Sequence, residues 1–149
     1  MNKIVPFLWF DKNAEEASNF YLSVFPNSKI LEVERAAADT PSGPKGSVLV
    51  VNFELDGNEF IGLNGGSNFK FNESISFVIK SKDQKEIDYF WEKLSAVPES
   101  EQCGWLKDKF GLSWQVVPEN MGELINNEKA MQAMLQMKKI DISALKEAK

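Results

Sequence analysis

Residues 6–25, PFLWFDKNAEEASNFYLSVF, and residues 76–95, SFVIKSKDQKEIDYFWEKLS, read as one pattern written twice. At a gapless offset of 70 residues, Phe7 meets Phe77, Lys12 meets Lys82, Glu16 meets Glu86 and Phe20 meets Phe90. Asn13 and Asp83 occupy the same place in the two copies, each with glutamate three residues later. That spacing is a capping box, with Asn or Asp at the N-cap in place of Ser or Thr. Each copy therefore predicts a strand, a tight turn and a helix. Ile87, Phe90, Trp91 and Leu94 recur at i, i+3, i+4 and i+7 and form one apolar stripe. Ala14, Ala17, Phe20, Tyr21 and Val24 do the same in the first copy. Both stripes predict a helix packed on a sheet.

Strand signals follow each helix. In the first half they cover about 29–37 and 47–55, and Asp56-Gly57 marks a tight hairpin into 59–64. In the second half 104–107 and 112–117 flank a turn at 108–111, with a weak strand near 99–103. The stretch DTPSGPKG, residues 39–46, reads as a loop, and the glycines of FIGLNGG, residues 60–66, as a hinge between the halves. The expected organisation is a single α+β domain of paired βαβββ modules, the second abbreviated. Module 1 covers about 1–66, module 2 about 73–118, and a helical tail about 119–149. In the tail, Met121, Leu124 and Ile125, then Met131, Met134, Leu135 and Met137, fall at helical spacing, with Asp141 as an N-cap before a last helix. A methionine stripe of this kind fits core or a dimer interface better than a cofactor site, because Met fills irregular gaps.

Composition removes whole classes of function. The chain has no histidine, so Ser-His-Asp and Cys-His catalysis are excluded and the commonest transition-metal ligand is missing. One cysteine, Cys103, permits no internal disulfide and no zinc finger. Lys and Arg number 17 against 22 Asp and Glu, a net charge of −5, which argues against nucleic acid and anionic membrane surfaces as partners. Asp11 interrupts the apolar N-terminal run before it reaches signal-peptide length, so a cytoplasmic location is expected. No G-x-G-x-x-G leads into a helix, so a Rossmann nucleotide site is not expected.

Three stretches, VPFLWFDKNAEEASNFYLSVFPNSKI from Val5, CGWLKDKFGLSWQVVP from Cys103 and EKAMQAMLQMKKIDISALKEA from Glu128, together with FIGLNGG, resemble the PhnB-like branch of the glyoxalase (vicinal oxygen chelate) superfamily. Its bacterial members often carry the label 3-demethylubiquinone-9 3-methyltransferase by name transfer. The resemblance implies modules that curl into a cup with helices on the convex side, and a homodimer. Metal-using members of the superfamily place His, Gln or Glu at four inward positions. These fall near Pro6, Gly62, Ser76 and Gln115, and only Gln115 is a ligand type the family uses. The expectation is no bound metal and no cofactor.

Strand alternation gives the expected lining. Ile75, Phe77 and Ile79 are assigned to the helix side and Ser74 and Ser76 to the cup. Leu112, Trp114 and Val116 are assigned to the helix side and Ser113 and Gln115 to the cup. Ile61 and Leu63 are assigned to the packed side and Phe60, Gly62 and Asn64 to the cup. Trp105 and Cys103 sit near the rim, while Trp9, Trp91 and Trp114 read as core. The candidate ligand-binding residues are therefore Pro6, Phe60, Gly62, Asn64, Ser76, Cys103, Trp105, Ser113 and Gln115. The serines and Gln115 serve equally well as hydrogen-bond partners across the sheet. Three functions stay open. The leading one is a metal-independent binder of an unidentified small molecule. The second is an enzyme of this superfamily (lyase, dioxygenase or nominal methyltransferase) using a divalent metal or Cys103. The third is a dimeric interaction protein presenting its methionine-rich tail.

Overall fold

The computed structural model describes residues 2–149. The chain forms two compact units, Met1–Lys70 and Phe71–Lys149. In the first, β1 (Phe7–Phe10), α1 (Ala14–Val24), β2 (Lys29–Arg35), β3 (Val48–Leu55) and β4 (Asn58–Asn64) build a four-stranded sheet of order β1-β4-β3-β2. β1 runs parallel to β4, and the other neighbours are antiparallel. The β3–β4 hairpin turns on Asp56 and Gly57, both at positive φ (48° and 79°), as a two-residue hairpin requires. Ala14, Ala17, Tyr21 and Val24 bury one stripe of α1. It lies on Leu8 and Phe10 of β1, Val51, Phe53 and Leu55 of β3, and Phe60 of β4. Phe53 stacks between Phe60 and Tyr21, with centroids 5.5 and 6.3 Å away.

In the second unit, β5 (Ser76–Ser81), α2 (Gln84–Leu94), β6 (Trp105–Lys107) and β7 (Ser113–Pro118) form a three-stranded sheet of order β5-β7-β6. β5 is parallel to β7, and β6 antiparallel to it. Ile87, Phe90 and Leu94 of α2 pack on Ile79, Leu106, Trp114 and Val116. The weak strand expected near 99–103 is instead a 3-10 turn, Pro98–Ser100, followed by a reversal. Cys103 and Gly104 both adopt left-handed φ (51° and 88°), and Gln102 and Trp105 bond each other across them. Two successive left-handed residues turn the chain back, so no strand can run through them. The fold is thus α+β with two mixed sheets, and the second module is βαββ.

The two strand–turn–helix copies correspond less simply than a gapless offset allows. Gly65 N donates to Phe10 O, and Glu119 N donates to Ser81 O. Phe10 pairs with Asn64, and Ser81 with Pro118. Phe10 is therefore the counterpart of Ser81, while the helices still start at Ala14 and Gln84. The first turn holds one extra residue, and Lys12, at φ 68°, absorbs it. One residue reverses the facing of a whole strand. Phe7, expected to match Phe77, is 56% exposed on the face away from α1. The same shift undoes the first capping box. Asp83 is extended and accepts from Glu86 N at 2.9 Å. Asn13 sits at φ −120°, ψ 26° and makes no side-chain cap. The Oδ1 of Asn64 accepts from Ala14 N at 2.8 Å in its place.

The tail forms α3 (Met121–Leu124), α4 (Glu128–Leu135) and α5 (Ile142–Glu147), with Asp141 capping α5 as expected. It docks within its own unit. Cys103 N and Gly104 N donate to Met137 O and Lys138 O, Gln84 holds Ile140 O and Ile142 N, and Lys139 pairs with Asp88. The residues buried there are Ala130, Ile140 and Leu145, while the methionines lie half-buried or exposed.

Candidate functional site

In the second unit, α2 covers one face of the sheet, and register assigns the other. Trp105 pairs with Gln115, Lys107 with Ser113, Ser113 with Ser76, and Gln115 with Val78. Paired residues share a face. Ser76, Val78, Ser113, Gln115, Trp105 and Lys107 therefore occupy the face away from α2, as alternation predicts for Ser76, Ser113 and Gln115, and Trp105, expected near the rim, joins them. Gln115 Nε2 donates to Ser76 Oγ at 2.9 Å, a cross-strand bond. Ser113 is 1% exposed, and among the described residues its Oγ has no hydrogen-bond partner. Lys107 Nζ pairs with Glu73. The hydrogen bond from Lys107 holds the Glu73 carboxyl below the usual carboxylate range. Ile75, expected against α2, is 69% exposed just ahead of β5.

The first unit corrects the expected lining. Phe60, Gly62 and Asn64 point toward α1. Phe60 is buried on Phe53, a Cβ on Gly62 would stand 3.4 Å from Ala14 Cβ, and Asn64 is 7% exposed, bonded to Ala14 N and Val48 O. Ile61 and Leu63, expected on the packed side, take the other face with Phe7 and Trp9, their β1 partners. The alternation that buries Leu8 and Phe10 carries Pro6 to the α1 side, where its carbonyl accepts from Ile61 N. Trp9 is half-buried rather than core. Its indole donates to Gly66 O at 2.9 Å and meets Phe69 edge-on. A Cβ on Gly65 would come within 2.4 Å of that ring, so only glycine fits. Trp91 is also half-buried, which leaves Trp114 as the buried tryptophan.

Cys103 lies off the sheet face, at the tail. Its thiol faces Leu135 O at 3.5 Å and Gln102 Nε2 at 3.3 Å. The sequence reading also missed Asp108, which is fully buried. It accepts from Phe110 N, Leu112 N and Trp114 Nε1 at 2.8, 3.1 and 2.9 Å, closing the β6–β7 turn. Lys107 was missed as a face residue, although W-x-K carries the signal: a residue two along from Trp105 shares its face.

The divalent metal that the fold family implies can be tested against these positions. With the counterparts corrected, Gln115 corresponds to Ile61 and Ser76 to Val5. The first unit thus offers two aliphatic side chains. The second offers a neutral amide and a hydroxyl that bond each other. These residues do not fit a divalent ion, and among the described residues no group of three or more His, Cys, Asp or Glu stands placed to hold one.

The model of the family described as 3-demethylubiquinone-9 3-methyltransferase matches residues 2–117. A PhnB protein from Bacillus cereus named for the same methyltransferase is 36% identical, with 78% of this chain and 99% of that one covered and a TM-score of 0.65. A glyoxylase/bleomycin resistance protein/dioxygenase domain from Frankia sp. EAN1pec is 13% identical, with 80% and 94% covered and a TM-score of 0.51. The fosfomycin resistance protein FosX of Listeria monocytogenes, solved with Mn(II) and sulfate, is also 13% identical, with 84% and 95% covered and a TM-score of 0.51. These last two share the fold. No curated protein matches the chain. The chain belongs to the family described as 3-demethylubiquinone-9 3-methyltransferase, in the PhnB-like branch of the glyoxalase-fold proteins.

Proposed function

We propose that this protein binds a small molecule without a metal, on the face of the second sheet turned away from α2. One observation carries the reading. Ser76, Gln115, Trp105 and the Ser113 hydroxyl, which has no partner among the described residues, are brought to one face by register. A few polar groups set beside an aromatic ring is the usual make-up of a ligand site. Pro6, Phe60, Gly62, Asn64 and Cys103 are not part of this proposal, because their placement serves packing or tail docking. Methyl transfer is not carried over from the family description. Gly65 and Gly66, which follow a strand as nucleotide-loop glycines do, here accommodate Trp9.

The proposal includes a cytoplasmic bacterial homodimer that avoids nucleic acid and membranes. The net charge of −5 supports the avoidance of nucleic acid and membranes, the single cysteine a reducing compartment, and the identity with a Bacillus protein a bacterial source, while the homodimer rests on the family resemblance. Among the described residues no helix is long and apolar enough to cross a membrane. A thermal-shift screen with a broad metabolite panel tests the binding function, since a ligand of the folded state raises the melting temperature. A hit should bind Gln115→Leu about tenfold more weakly. Silence across the panel, or unchanged affinity of the variant, would reject the site.

A further inference from the structure

Lys107 and Glu73 form an ion pair in an unusual place. The Lys107 side chain is 21% exposed and that of Glu73 62%. β7 separates β6, which carries Lys107, from β5, which Glu73 precedes by three residues. Adjacent strands lie about 4.8 Å apart, so the pair spans roughly two strand spacings. Ser113 is the register partner of Lys107 on one side and of Ser76 on the other. Ser113 therefore lies between Lys107 and Ser76 in the sheet, and it is only 1% exposed between these half-buried neighbours. Ser113 Oγ has no hydrogen-bond partner among the described residues. A buried hydroxyl left unbonded is unfavourable.

We propose, on the basis of the ligand-face reading above, that this face takes a small organic anion, a carboxylate on an aromatic body, and that the Glu73 carboxylate holds the anion's place when none is bound. The donors support this class. Ser76 Oγ accepts from Gln115, so its own O–H remains to donate. With Ser113 O–H and the Lys107 ammonium, three donors converge on the face. Exchanging Glu73 for a ligand carboxylate keeps Lys107 paired, so no buried charge is stranded. A ligand carboxylate on Lys107 that also reaches its register partner supplies Ser113 the acceptor that Glu73 does not. Trp105, on the same face beside Gln115, offers a ring against which the ligand's body can lie.

The test is titration of isotope-labelled protein with benzoate against benzamide and phenylacetate against phenylacetamide, read from backbone amide shifts. The carboxylates should shift Ser76, Trp105, Lys107 and Ser113 and bind roughly tenfold or more tightly than their amides. Glu73→Gln should tighten carboxylate binding by removing the internal competitor. Lys107→Gln should abolish the preference for carboxylate. Ser113→Ala should weaken carboxylates, whereas Ser81→Ala should not. Ser81 Oγ is also buried without a partner among the described residues, but on the α2 side of β5. Equal binding of carboxylates and amides, or no effect of Glu73→Gln, would overturn the anion assignment and leave the ligand face standing. No shift at any of these amides with any of the four probes would overturn both.

Discussion

Asp108 is fully buried, and two backbone N–H groups of its own turn and the Trp114 indole N–H converge on its side chain. Removing it leaves those donors buried and unpaired, which is worse than losing the bonds alone. We expect Asp108→Ala to lower stability by about 3 kcal/mol in urea denaturation, with Trp114 fluorescence shifted. A loss below about 1 kcal/mol would contradict the staple role. At this scale the sequence was legible where alternation alone decides. Ser76, Ser113 and Gln115 lie on the face that a period of two assigns. Asp108 was hidden because its partners are the backbone of its own turn and a tryptophan six residues on. An aspartate opening the turn between two strands was the available signal.

Among the elements, β1 is the instructive error. Its residues are apolar on both sides, Phe7 and Trp9 against Leu8 and Phe10, so polarity could not choose the buried face. The repeat matches without a gap only along the helices, and one residue inserted at Lys12 puts the strand out of phase. β4 went wrong for a related reason. Ile61 and Leu63 are larger and more apolar than Gly62 and Asn64, yet Gly62 is what lets α1 approach and Asn64 is what caps it. Deleting Lys12 should cost about 3 kcal/mol or more, since either the strand face or the Phe10–Gly65 bond must give. Lys12→Gly should stay within about 1 kcal/mol of the parent, because glycine adopts that φ freely. Thermal unfolding of both variants checks the pair. A deletion as stable as the parent would show that β1 is not held in register by this turn.

Across the whole molecule, duplication was legible because the apolar stripes of α1 and α2 recur at one spacing, although only α2 keeps its side-chain cap. The missing strand of the second module was not. Its place is taken by a turn whose left-handed Cys103 has no sequence signature, and Gly104 beside it leaves room for Ile140 of the tail. Function follows from what the sheet faces retain. The positions that the resemblance equates with metal ligands hold an aliphatic pair in one unit and a mutually bonded Ser76–Gln115 in the other. The account therefore stands on metal independence, and elemental analysis of protein purified without chelator tests it most directly. It predicts zinc, nickel, iron and manganese each far below one equivalent per chain. One equivalent of any of them, lost on Gln115→Leu, would contradict it.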